Sequence, residues 1–273
     1  MKNIFKDVVK SNFITTLGLK YLGLTYNKCD EIFVCSPLVE KQARECGYKG
    51  KITYLPFGTE IEKCDNVEEN RQLANKQFNL TSDDLVFVYV GRVMKLKRID
   101  FILDSLKIVK ENGIKFKFFI VGKGAYLNKL KKYATKLGFT EEEVIFTGFL
   151  PREHFPLILS RADLLLFPSI YDNFGLVKVE SAAFDTPGLF IENSCAGYDI
   201  NPNHNGYLSE DNVECYANQI LNIVKDRENL KQTGINAGKE LYIHWSTCTD
   251  LLLKRLGEIC KEYKEKNGES LWK

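Results

Sequence analysis

LVFVYVGR, Leu85 to Arg92, places six consecutive apolar residues directly before a glycine and an arginine. A strand with one wet face would alternate apolar and polar residues. An unbroken apolar run of this length predicts a parallel strand covered on both faces. Parallel strands need crossover connections, so helices are expected on either side of it in sequence.

Working outward, strand and helix signals do alternate. Downstream, the spacing predicts a helix from about Arg98 to Glu111, a strand over Phe116–Val121 and a helix from about Tyr126 to Leu137. Val144–Phe146 reads as a short strand and Asp163–Phe167 as a longer one. A helix after Phe174 leads to a strand at Gly188–Ile191, and helices near Asn212–Val224 and Trp245–Tyr263 follow. Upstream, Glu31–Cys35 reads as a strand, Ser36-Pro37 as a cap with proline at the first helical position, and Lys51–Leu55 as a second strand. A helix to about Cys46 lies between them, ended by Gly47. The polar, turn-rich stretch 61–84 reads as a connection between domains. The expected fold class is α/β: a Rossmann-like, doubly wound parallel sheet plus a partial first domain.

Composition narrows the function classes. The chain has 273 residues, 44% hydrophobic and 27% charged, with a net charge of +2, too balanced for bulk nucleic-acid binding. Eight cysteines without a C-x-x-C pair and only three histidines argue against a zinc site. Scattered thiols suit a reducing cytoplasm. At the N-terminus, Phe5, Val8, Val9 and Phe13 have helical spacing, interrupted by Lys6, Asp7, Lys10 and Lys20. That pattern is neither a signal peptide nor a membrane span. Packing against protein and a basic, membrane-touching face both remain open.

In such a sheet, ligands bind beyond the carboxyl ends of the strands. Three segments there could carry chemistry. Gly91-Arg92, with Lys97, offers an arginine fork and a lysine point charge suited to a diphosphate, although a basic loop is more often merely solvated. Gly122-Lys-Gly124 resembles part of a dinucleotide fingerprint, but Leu127 stands where a third glycine belongs. A tight strand-to-helix turn explains it equally. Asp172-Asn173-Phe174-Gly175 precedes a helix carrying Glu180, eight positions after Asp172. A helix start favours phosphate oxygens, and a ligand could span both carboxylates; a capping Asp and a surface Glu would look the same.

Taken in order, these segments resemble the donor half of family 4 glycosyltransferases, retaining enzymes of the GT-B fold. The resemblance is carried by Val90-Gly91-Arg92 with Lys97, Ile120 to Gly124, Val144 to Gly148, Ala162 to Ser169, Phe174-Gly175-Leu176 with Glu180, and Asn205-Gly206. Residues 30–60 look like the end of that fold's first domain. The resemblance implies that Arg92, Lys97 and Asp172 are the catalytic set, the two cations holding the donor diphosphate and Asp172 facing the transferred sugar. It implies donor contacts from Gly91, Gly122, Gly148, Leu150, Asn173, Phe174, Gly175, Leu176, Val177 and Glu180, with Glu180 on the ribose and the Gly148–Leu150 turn bordering the base. No cofactor or metal is implied, because Arg and Lys replace a divalent cation.

The implied domains are 1–60, remnant of an acceptor-side domain; 61–84, connection; 85–240, donor domain; and 241–273, a C-terminal helix returning toward the first domain. Asp172 departs from the family's glutamate by one methylene. The short first domain implies an N-terminally truncated chain, with a second chain supplying the missing half as one possible partner. Three functions follow. The first is retaining transfer of a sugar, a UDP-sugar expected, to a glycan or lipid-linked acceptor at the inner face of the membrane, for cell-surface glycan or glycolipid synthesis. The second is a nucleotide-sugar-binding fragment, and the third an epimerase of the same fold.

Overall fold

The computed structural model describes residues 12–151 and 154–267. The N-terminal helix expected around Phe5–Val9 lies outside the described residues. The chain divides into two compact units, Met1–Glu60 with Ile243–Lys273, and Ile61–Tyr242.

The first unit holds α1 (Asn12–Tyr26), β1 (Glu31–Val34), α2 (Pro37–Glu45), β2 (Lys51–Tyr54) and a long C-terminal helix, α10 (Trp245–Asn267). β1 and β2 pair in parallel, Glu31 opposite Lys51 and Val34 opposite Tyr54. Ser36 caps α2, its Oγ accepting from the Val39 N–H at 3.3 Å, as Ser-Pro at a helix start predicts. The start of α10 is fixed by a backbone bridge: Thr59 N–H donates to Ile243 at 3.0 Å, and Trp245 N–H to Thr59 at 3.0 Å. Glu31, its side chain 4% exposed, accepts from Arg255 at 2.6 and 2.9 Å and from the Thr53 hydroxyl. The Arg255 contact holds the Glu31 carboxyl down at about 2, against the cost of its burial.

The second unit is built on one six-stranded sheet. Its elements are α3 (Val67–Gln77), β3 (Val86–Val90), α4 (Ile99–Glu111), β4 (Lys117–Val121), α5 (Leu127–Lys136), β5 (Val144–Gly148), α6 (Phe155–Arg161), β6 (Leu164–Phe167), α7 (Leu176–Ala182), β7 (Gly188–Ile191), β8 (Tyr207–Ser209), α8 (Val213–Ile223) and α9 (Arg227–Glu240). Strand order is β5-β4-β3-β6-β7-β8, all parallel. Counted from β3, this is the 3-2-1-4-5-6 order of a dinucleotide-type sheet, with its reversal between β3 and β6. Val86, Phe87, Val88 and Tyr89 are all fully buried, so both faces of β3 are covered as its apolar run predicts. Each such side chain contributes about 1.5–3 kcal/mol of transfer free energy. α4 packs on α5 and α8, α3 on α6, and α9 on α7.

The stretch 61–84, expected as a connection, is part of this unit. It contains α3, and the reason lies in one buried cation. Arg161, 3% exposed, donates to Asn75 Oδ1 at 2.6 Å, to the Thr81 carbonyl at 2.9 Å, to the Asp84 carbonyl at 2.7 Å and to Asp163 at 3.2 Å. Arg71 binds the other Asp163 oxygen at 3.0 Å and the Ser160 carbonyl at 2.8 Å. A polar segment that satisfies a buried guanidinium is structure, although its composition looks like linker.

Candidate functional site

Gly91 and Gly122, just after β3 and β4, and Gly148, the last residue of β5, form a row. Gly91 N–H donates to the Val121 carbonyl at 3.0 Å, and Gly122 N–H to the Gly148 carbonyl at 2.7 Å. At Gly122, φ is +142°, and a Cβ would stand 1.9 Å from the Gly91 carbonyl oxygen. The strand ends approach so closely that only glycine fits. The tight-turn reading of Gly122-Lys-Gly124 therefore holds, because the backbone needs both glycines: a Cβ on Gly124 would stand 2.1 Å from the Val93 carbonyl.

The reversal between β3 and β6 brings two of the sequence candidates, Lys97 and Asp172, together. Lys97 ends a 3₁₀ turn, Lys95–Lys97, after β3. Asp172 lies in the loop after β6. Lys97 Nζ and Asp172 Oδ1 stand 2.5 Å apart, with side chains 19% and 20% exposed. The second Asp172 oxygen is buried and has no hydrogen-bond partner, and the same holds for the Ser169 hydroxyl. Buried acceptors left open are uncommon in folded proteins, and here they fall in one short loop at the switch point. Arg92 is exposed, its carbonyl accepting from the Tyr89 hydroxyl at 3.1 Å. Burial, then the Asp172 charge, push the Tyr89 hydroxyl well above its ordinary range, so it stays a neutral donor.

Asn173 is exposed, whereas Phe174, Gly175 and Val177 are buried and Leu176 is 44% exposed. Gly175 caps α7 with φ +76°, and a Cβ there would stand 2.9 Å from the Ala196 Cβ. Glu180 is half-buried in α7, about one and a half turns past that cap. Leu150 packs against the core, while its neighbour Phe149 is 67% exposed with the Lys123 amine 5.8 Å from its ring centre.

Three residues escaped the sequence reading. Ser169 was noted only as the end of a strand. Arg98, with φ +56°, donates to the Pro168 carbonyl at 3.2 Å and pairs with Asp211, bridging β3 and β6. Lys178, inside the helix carrying Glu180, is 2% exposed. A cavity of about 420 Å³ lies at the other ends of β6 and β7, between Arg71, Asp163, Asp185 and Arg227, and shares no residue with this site.

Residues 70–240 match the family "Glycosyl transferases group 1". The chain belongs to that family. It is 26% identical over 207 residues to a GDP-mannose-dependent alpha-(1-6)-phosphatidylinositol dimannoside mannosyltransferase of Mycobacterium tuberculosis, covering 75% of this chain and 52% of the relative. It is 25% identical over 224 residues to a UDP-Gal:alpha-D-GlcNAc-diphosphoundecaprenol alpha-1,3-galactosyltransferase of Escherichia coli, covering 77% and 56%. The chain thus spans about half the length of these relatives.

Among solved structures, sucrose-phosphate synthase of Thermosynechococcus elongatus superposes with a TM-score of 0.79 at 20% identity, covering 93% of this chain and 63% of that one. The HepE protein of Anabaena, crystallised with UDP and glucose, gives 0.76 at 18% identity, covering 89% and 67%. The fold is that of GT-B glycosyltransferases. No helix among the described residues is long and apolar enough to cross a membrane.

Proposed function

We propose that this chain is the donor-binding half of a retaining glycosyltransferase. It would take a nucleoside-diphosphate sugar, a UDP-sugar first, and serve transfer to a glycan or lipid-linked acceptor at the inner face of the membrane. The observation that carries the reading is the Lys97–Asp172 pair at the strand-order reversal, with one Asp172 oxygen left unpartnered. A cation beside a carboxylate with a spare acceptor suits a ligand that joins a diphosphate to a polyhydroxy ring.

In this reading Arg92 and Lys97 bind the diphosphate and stabilise the charge that grows on it as the glycosidic bond breaks. Their positive charge stands where a divalent cation would otherwise be needed. The bond from the anomeric carbon to the diphosphate oxygen breaks, its electron pair staying on that oxygen. The acceptor hydroxyl attacks the same face of the sugar, and its proton passes to the departing phosphate. Asp172 orients the sugar hydroxyls and Glu180 the ribose. The backbone from Asn173 to Val177 lines the sugar and phosphates, and Gly91, Gly122 and the Gly148–Leu150 turn admit the nucleotide. The acceptor side comes from a further domain, in the same or a second chain.

Calorimetry with UDP, UDP-glucose, UDP-galactose and GDP-mannose tests this. Binding of at least one is expected, lost in Glu180→Ala and Arg92→Ala. Absence of binding to all four sinks the reading. Product analysis with the acceptor-side domain supplied then tests transfer and its stereochemistry.

A further inference from the structure

Lys178 lies on α7 between Gly175 and Glu180, at a position where its neighbours Val177 and Val179 are buried apolar residues. Its side chain is 1% exposed. The ammonium donates to the Ala196 carbonyl at 2.9 Å and pairs with the Asp199 carboxylate. It also stands 4.9 Å from the centre of the Phe174 ring and 5.1 Å from that of Tyr198. One buried cation therefore joins two segments: the turn that opens α7, and the loop that follows β7.

That loop is fastened at its other side as well. Ser194 Oγ donates to the Ile191 carbonyl at 2.7 Å and accepts from Gly197 N–H at 3.1 Å. Between the two fastenings sits Ala196, against which Gly175 packs so closely that a Cβ on Gly175 would approach its side chain to 2.9 Å. The wall formed by residues 194–199 thus sets how far the Phe174-Gly175 turn can move. A buried lysine is costly to desolvate and is retained where its charge is paired and its hydrogen bonds are made, as here.

We infer that Lys178 is a positioning residue, which clamps the loop after β7 onto the Phe174-Gly175 turn and so fixes the backbone offered to the donor sugar. It touches neither sugar nor phosphate itself. Asp199 and the Phe174 ring are its working partners, the carboxylate holding the loop end and the ring holding the turn. The donor-binding consequence rests on the proposed function; the mechanical coupling does not.

Two measurements on the full chain test it separately. In hydrogen exchange, Lys178→Met and Asp199→Ala speed exchange about tenfold or more in residues 192–200 and also in 173–177. Asp199→Asn keeps an acceptor for the ammonium and leaves both segments near wild type. Asp199→Ala preserves the core face of α7, so it decides the matter if Lys178→Met does not fold. Faster exchange in 192–200 alone, or in neither segment, overturns the clamp. In calorimetry, the two disrupting variants weaken UDP-glucose about tenfold while UDP changes less than about threefold. Equal loss of both ligands, or loss of thermal stability with unchanged UDP-glucose affinity, marks Lys178 as a purely structural cation. A wild-type chain that binds no nucleotide removes the proposed function, and the exchange data still judge the clamp.

Discussion

Lys97 Nζ stands 2.5 Å from Asp172 Oδ1, joining the segment after β3 to the segment after β6 where the strand order reverses. The lysine cannot give its full charge to a diphosphate while it is shared with a carboxylate at this distance. On the proposed function, binding of a donor would redistribute the pair: the ammonium turns to phosphate and the carboxylate to sugar hydroxyls. Asp172→Ala frees Lys97 without removing it. UDP affinity is expected to hold or rise, while the preference for UDP-glucose over UDP falls by about tenfold, the effect of roughly 1.4 kcal/mol. Lys97→Met does the opposite and weakens both ligands. Titration calorimetry reads both, and equal losses of UDP and UDP-glucose in Asp172→Ala would falsify the division of labour.

Gly122 makes a second, purely mechanical prediction. Its φ of +142° is strained for any other residue, and a Cβ would lie 1.9 Å from the Gly91 carbonyl oxygen, a backbone atom of the neighbouring strand end. Gly122→Ala must therefore part β3 from β4 and is expected to cost about 3 kcal/mol or more. Gly138, with φ +84° and open space around its Cβ, provides the contrast: there Ala meets only the left-handed penalty of about 1 kcal/mol. Urea unfolding of the two variants separates a steric clash from a dihedral cost.

The legible parts of this chain were those where one physical effect dominates. Strands such as Val86–Val90 and Gly188–Ile191 are apolar runs, and the sequence places them to within a residue. Lys97 and Asp172 stood out as candidates because they lie in the segments that follow two such strands, Val86–Val90 and Leu164–Phe167, and the structure pairs them. α3 was not, since its contacts are polar and its binding partner, Arg161, lies far away in sequence. α9 hides behind Gly234 and Gly238, which lower helix propensity; Gly234 is required, because a Cβ there would stand 2.0 Å from the Asp185 carbonyl oxygen. Lys178 was missed because a lysine on a short helix is ordinarily taken for a solvent-facing residue. Its neighbours Val177, Val179 and Ala182, packed into the core, were the available signal.

Arg161 should be the most sensitive charge in the second unit. It satisfies two carbonyls, Asn75 and Asp163 at once, and Asp163 in turn accepts the Val86 N–H at 2.8 Å at the start of β3. Arg161→Met leaves these part-buried acceptors without their donor. Loss of a buried ion-pair partner costs about 3–5 kcal/mol, several times what a surface pair is worth. The expected result is a large drop in the urea midpoint with α3 detached. Protease sensitivity between 61 and 84 would report that detachment directly, and an unchanged cleavage pattern would count against this role.

Glu31 gives the pH dependence of the first unit. Arg255, hydrogen-bonded to both its oxygens, holds its carboxyl at about 2, below the ordinary 4.5. A depressed folded value means that the unfolded chain takes up the proton first. The stabilisation is then fully present above about pH 4.5 and is lost as pH falls toward 2. Its size, discounted for partial solvent screening of the network, is on the order of 2 kcal/mol. Glu31→Gln removes the charge at every pH. The variant is therefore expected to be less stable than wild type at pH 6 and to converge with it near pH 2. Urea unfolding followed by Trp245 fluorescence across that range checks the convergence. A difference that stays constant with pH would mean that Glu31 acts through packing and not through its charge.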